Sequence, residues 1–380
     1  MNGNSIPRSL SLKAGDMVEV RSKEEILSTL DKNGCLDGLP FMPEMLALCG
    51  RRTRVYKRAH KACDTVEWKG SRRVTNAVHL EGSRCDGQAH GGCQAECLIF
   101  WKEAWLKRVS TDPVAVKLTD GAVDDAGCSE EDVLANTCKS GTAKTDQPVY
   151  VCQATQLLQA SSPLPWTDWG QYWEDYTSGN FRLKWMLGVI FYATYNIMIR
   201  RSKRPIRNTL RWVYDTVQKL RGRPCYPRTP GRIPSGVRTP TISLNLQPGE
   251  MVRVKSFDEI LDTIDTEYRN RGMKWDAELV PYCGGVYRVK KRVGKIIDEK
   301  TGKMLRLNSE PIILEGVICQ SKYSDCRYFC PRSIYPYWHE IWLERIAAGS
   351  PSQPMEQSRV SQTGGPQQAA SPASDPKRGV

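Results

Sequence analysis

Eight of the fourteen cysteines fall into two sets of closely matching spacing. Cys49, Cys85, Cys93 and Cys97 follow C-x35-C-x7-C-x3-C, and Cys283, Cys319, Cys326 and Cys330 follow C-x35-C-x6-C-x3-C. Four thiolates form a closed tetrahedral shell for zinc, a d10 ion that imposes no other geometry. The expectation is one zinc per set, two per chain. The spacing is not the usual paired C-x2-C, so it specifies the ligands better than the metal. An iron–sulfur cluster, and with it a redox protein, is the alternative; small buried apolar side chains without metal are a third reading. A closed shell leaves no position for a substrate, which weighs against catalytic zinc.

The remaining cysteines, Cys35, Cys63, Cys128, Cys138, Cys152 and Cys225, have no partner between the sets and read as incidental thiols. His79 and His90 lie near the first set. Ile313 stands opposite His79, and no histidine lies in the stretch matching His90, so neither is expected as a ligand. The chain carries no G-x-x-x-x-G-K-[ST] loop, no dinucleotide fingerprint, no H-E-x-x-H and no G-x-S-x-G elbow. No catalytic residue is nominated, although an enzyme is not excluded.

The elements that position these cysteines are themselves repeated. Gly15-Asp16-Met17-Val18-Glu19-Val20-Arg21-Ser22 matches Gly249-Glu250-Met251-Val252-Arg253-Val254-Lys255-Ser256, an offset of 234 residues. Glu25-Ile26-Leu27, Cys49, Leu80-Glu81-Gly82 and Cys85 keep that register with their counterparts; Trp101-x-Glu103-x-Trp105-Leu106-x-Arg108 matches Trp338-x-Glu340-x-Trp342-Leu343-x-Arg345 after small length changes. Each copy predicts an alternating strand, then a serine and a glutamate three residues later that form a capping box. The box opens a short helix at Lys23 to Asp31 or Phe257 to Asp265. Short strands follow, with a hairpin turn at Glu299-Lys300-Thr301-Gly302. The two tryptophans of each Trp-x-Glu-x-Trp segment are expected to pack a closing turn onto the core.

These features point to an α+β, mainly β chain: two repeated, small, partly open SH3-like barrels joined by a central helical region. The opening strand resembles that of such barrels in ribosome- and transcription-associated proteins. The repeat as a whole resembles an uncharacterised bacterial family of tandem cysteine-containing domains, a likeness that spans both copies and much of the centre and implies no activity. The expected divisions are a first repeat at 6–110, an acidic flexible linker at 111–147, a central helical and hydrophobic region at 148–222, a basic Pro-rich linker at 223–239, a second repeat at 240–347 and a disordered tail at 348–380.

The formal net charge of +13 is concentrated. Residues 200–240 hold twelve Lys/Arg and one Asp. An anionic surface, phospholipid or nucleic acid, fits such a stretch; a solvated basic helix and linker fits it too. Arg200, Arg201, Lys203, Arg204, Arg207 and Arg211 are the expected contacts. Nucleic acid is the less favoured partner, because no aromatic-basic stacking motif is recognised on a strand. Trp185 to Ile199 is apolar and uncharged. It reads as one helix of a packed hairpin, as an interfacial segment, or as a short membrane span. Ile206, Leu210, Val213, Val217 and Leu220 mark one face of the next helix, started by Pro205 and ended at Gly222. Residues 1–16 lack the apolar core and cleavage site of a secretory signal, so the expected location is cytoplasmic, or peripheral to the inner face of the membrane, with thiols reduced. The function expected is that of a non-catalytic, zinc-stabilised accessory or scaffold protein whose repeats bind protein partners.

Overall fold

The computed structural model describes residues 9–109, 128–139 and 147–346. In the first repeat, strands β1 (Met17–Val20), β2 (Arg52–Arg58), β3 (Ala77–Leu80), β4 (Trp101–Lys102) and β5 (Leu106–Arg108) form one antiparallel sheet in the order β4-β3-β2-β1-β5. In the second, β6 (Met251–Val254), β7 (Val286–Arg292), β8 (Ile312–Leu314) and β9 (Leu343–Arg345) form β8-β7-β6-β9. Pairing follows the sequence register: Met17 faces Arg54 as Met251 faces Arg288, and Val18 faces Arg108 as Val252 faces Arg345.

Neither sheet closes into a barrel. A β-bulge between Val55 and Lys57, repeated between Val289 and Lys291, breaks the ladder at the same place. The chain beyond it leaves to form separate small hairpins, Lys61–Cys63 with Ser71–Arg73 and Lys295–Ile297 with Met304–Arg306. The whole is mixed rather than mainly β, because the centre adds three helices: α4 (Gly170–Thr177), α5 (Leu183–Arg201) and α6 (Arg204–Leu220).

Local chemistry builds the expected starts. Ser22 and Ser256 cap α1 (Lys23–Leu27) and α7 (Phe257–Leu261), with Glu25 and Glu259 returning to the capping residue's N–H. Both helices stop earlier than their apolar runs suggest. Trp101, Trp105, Trp338 and Trp342 are fully buried. Trp105 and Trp342 donate their indole N–H to Thr29 and Thr263, equivalent residues. The glutamate between the tryptophans has the same structural duty in both repeats. Glu103 accepts the backbone N–H groups of Leu10, Ser11 and Leu12 and pairs with Arg58. Glu340 does so with Leu244, Asn245, Leu246 and Arg292. A buried carboxylate is tolerated because every approach to it is a donor.

Within 111–147, residues 128–139 are structured: α3 (Glu130–Ala135) is capped by Ser129, and Cys138–Lys139 pairs with Val149–Tyr150. The rest of that linker and all of the expected tail lie outside the described residues, apart from Gln147. The repeats also touch directly. Gln94 Oε1 accepts the N–H groups of Gly294 and Lys295, Glu96 pairs with Lys290 and Lys291, and Arg84 lies 4.0 Å from the centre of the Tyr335 ring.

Candidate metal centre

Three side chains converge in the first repeat: Glu44, Cys85 and His90. Each comes from a different local device. Glu44 lies on α2 (Pro43–Leu46), a single turn with proline at its start. Cys85 follows β3, and its N–H donates to Cys97 O at 2.9 Å, tying the two ends of a thirteen-residue loop. His90 ends a 3-10 turn, Gln88–His90, bounded by Gly87 and Gly91 in the left-handed region. At Gly87 a Cβ would come within 2.0 Å of Cys93 O, so no larger residue fits without moving the loop.

His90 Nδ1 lies 2.9 Å from Glu44 Oε1, the Cys85 thiol is 3.6 Å from the same oxygen, and His90 Nε2 is 3.1 Å from the Val151 carbonyl. A carbonyl only accepts, so Nε2 donates to Val151, and in the absence of a metal Nδ1 donates to the Glu44 carboxylate, which turns that nitrogen toward Glu44 and Cys85. The bond to Val151 is the anchoring that metal-binding histidines commonly have. Glu44 Oε2 is buried and has no hydrogen-bond partner among the described residues. Both Glu44 and His90 are almost wholly enclosed, with side chains 6% and 1% exposed. Burial pushes the Cys85 thiol up, reinforced by the Glu44 charge. Burial works the same way on Glu44, but the His90 hydrogen bond and charge outweigh it and hold the carboxyl below its usual range. One sulfur, one nitrogen and one carboxylate suit zinc, and are one donor short of its usual four. Cys97 is tied to Cys85 by the backbone hydrogen bond, and Cys152 packs on the same core as Cys85, which brings two more thiols into the neighbourhood.

The two expected four-cysteine sets are not gathered into shells among the described residues. Cys85 alone of the eight joins the converging group. Cys49 packs on its repeat's core and faces the charges of Glu24, Lys23 and Glu130. The Cys93 sulfur accepts the Ile297 N–H at 3.4 Å from the other repeat. The half-buried Cys97 thiol is pushed up to about 12, first by desolvation and then by Glu299. In the second repeat Cys283 packs on the core and faces Cys225, while Cys326 is exposed. The Cys330 sulfur accepts the Cys63 N–H at 3.1 Å, and Arg332 bonds the Cys63 carbonyl beside it. Burial works to raise Cys330, but the Cys63 hydrogen bond and Arg332 hold it below the usual thiol range. Cys63, read as incidental, is thus bonded through its N–H to the sulfur of an expected ligand.

Glu44 was missed by counting cysteines, and His90 was set aside because the second repeat has no histidine in the matching stretch; only the glutamate is marked by the repeat register. Adding 234 to Glu44 gives Glu278, and to His90 gives Ser324. In the second repeat Ser324 Oγ donates to Glu278 Oε1 at 3.0 Å, and Glu278 Oε2 is again buried without a partner. Burial, with Asp276 adding, pushes Glu278 up, the opposite direction from Glu44. The glutamate and cysteine positions recur while the imidazole does not.

The expected basic surface is partly used internally. Arg200 pairs with Asp325, Arg211 donates to Thr229, Arg228 pairs with Asp325, and Arg232 pairs with Asp258 and Asp262. Arg201, Lys203, Arg204 and Arg207 make no ion pair among the described residues, and the first three are exposed. No helix among the described residues is long and apolar enough to cross a membrane, so the spanning reading of 185–199 is set aside. No family model, curated protein or solved structure matches the chain.

Proposed function

We propose that this chain is a non-catalytic, metal-stabilised accessory or scaffold protein. Its two SH3-like repeats present their outer surfaces to protein partners, and zinc held by Glu44, Cys85 and His90 fastens the first. The observation that carries the reading is the orientation of His90, with Nε2 anchored on Val151 and Nδ1 turned to Glu44 beside Cys85. The enclosure of the carboxylate and imidazole favours a structural over a catalytic metal, since a buried group offers no route for a substrate. The proposed location is peripheral, at the inner face of a membrane. The neutralised arginines of residues 200–240 weigh against nucleic acid.

Metal content per chain, with an absorption spectrum on protein purified without air, tests this. The expected result is about one zinc and no visible bands. His90→Ala and Cys85→Ser should each lose that zinc. Two zinc ions per chain, retained in His90→Ala, would restore the four-cysteine shells as the reading. Iron with sulfide would move an iron–sulfur redox protein to first place, and protein without metal would remove the proposal.

A further inference from the structure

Helix α5 carries two apolar stripes, and only one is used. Met186, Val189, Tyr192, Asn196 and Ile199 are buried at steps of three and four. They set the helix against Phe329, Tyr323 and Tyr226. The opposite face holds Leu183, Leu187, Ile190, Phe191, Ile197 and Met198, all exposed, with Phe191 64% so. The helix contains no acidic residue and is about 28 Å long.

Helix α6 extends this face. Tyr195 Oη donates to the Leu210 carbonyl, and its ring lies 5.6 Å from that of Tyr214. Phe191 and Met198 are the helical neighbours of Tyr195, at four before and three after. Ile206 and Val213 are those of Leu210, and Val217 is that of Tyr214. The exposed residues of both helices therefore meet along the hairpin seam. Most of the apolar stripe marked on α6 lies open: Ile206, Val213, Val217 and Leu220 are exposed, while Leu210 and Tyr214 anchor the helix.

The ends of the surface are basic. Arg182 and Lys184 are exposed at the start of α5, and Arg201, Lys203 and Arg204 at the turn into α6. Exposed indoles of Trp166, Trp169, Trp173 and Trp212 belong to the adjoining α4 region and α6. An apolar strip with cationic ends and tryptophans matches the layering of a bilayer interface. A second copy of this chain fits less well. Laid hairpin on hairpin in either direction, two copies would oppose one basic end to another.

We propose that the outer face of the α5–α6 hairpin docks on an anionic phospholipid bilayer. Its apolar side chains enter the boundary between headgroups and acyl chains, and Arg201, Lys203 and Arg204 meet the headgroup phosphates. The inference rests on the peripheral location proposed above and adds the surface and the lipid class; it is independent of the zinc.

Co-sedimentation of the full-length protein with vesicles tests it. The expected result is pelleting with phosphatidylcholine–phosphatidylglycerol vesicles, weakened by salt, and little with pure phosphatidylcholine. Reversing the turn in Arg201→Glu/Lys203→Glu/Arg204→Glu should lower partitioning by about 100-fold or more. Phe191→Ser with Leu187→Ser should lower it without changing the thermal midpoint, because both side chains are exposed in the free protein. Absence of pelleting with anionic vesicles overturns the proposal, as does partitioning that both sets of variants leave intact. A concentration-dependent dimer abolished by Phe191→Ser would assign the face to a second copy instead. Zinc content is measured on the same samples, so loss of the metal reading and loss of the membrane reading are separate results.

Discussion

At the scale of single residues, the two repeats form an internal comparison. Glu44 and Glu278 occupy equivalent positions, as do Cys85 and Cys319, but the third partner is His90 in one and Ser324 in the other. The imidazole reverses the direction in which its glutamate titrates. If zinc requires the histidine, Ser324→His should raise the metal content of the chain from about one toward two, read by elemental analysis. A variant that folds and still holds one ion would show that the surroundings of Glu278 and Cys319 have diverged beyond rescue. The cysteine spacing in the sequence drew attention to thiols and away from Glu44. The converging oxygen and nitrogen come from a one-turn helix and a glycine-bounded turn, neither of which has a periodicity to read. The constant offset, applied to every residue type, marks Glu44 through Glu278 but speaks against His90, whose counterpart is Ser324.

At the scale of elements, the Trp-x-Glu-x-Trp segment shows what the repeat retains. The tryptophans fill each core, as their apolar spacing indicated. The buried glutamate between them was not legible, because its partners are backbone N–H groups more than ninety residues earlier in the chain. Burial works against ionised Glu340, but the Leu246 and Leu244 N–H groups and Arg292 outweigh it and hold the carboxyl below its ordinary 4.5. A value lowered in the folded state stabilises the fold above the ordinary value, and that contribution is lost as pH falls through the lowered one. Glu340→Gln should therefore flatten the acid side of the stability profile below about pH 4.5 and cost about 1–3 kcal/mol at neutral pH. Chemical denaturation across the pH range measures both, and an acid limb unchanged from wild type would refute the assignment. The starts of α1 and α7 were legible because a capping box is local. The fate of the α5 and α6 stripes was not, since periodicity marks a face without saying what covers it.

At the scale of the molecule, the direct contact between repeats is the feature that spacing and composition conceal. The sequence places a linker and a helical region between the two repeats; in the structure the loop of the first repeat that carries Cys85 and His90 lies directly against the second repeat's strands. Arg332 is central to this contact. It is nearly fully buried, bonds the Cys63 carbonyl and Thr65 hydroxyl of the first repeat, and pairs with Glu299 of its own. Removing a buried guanidinium strands these acceptors and leaves the pocket unfilled. Arg332→Ala is expected to cost about 3 kcal/mol and to uncouple the repeats, so that denaturant unfolding becomes two transitions where the wild type has one. Zinc content should persist, because Glu44, Cys85 and His90 all belong to the first repeat. An unchanged midpoint would mean that the interface contributes little to stability. One earlier transition without separation would mean that the repeats are held together chiefly by the helices and by the pairing of Gln94 and Glu96 with the second repeat.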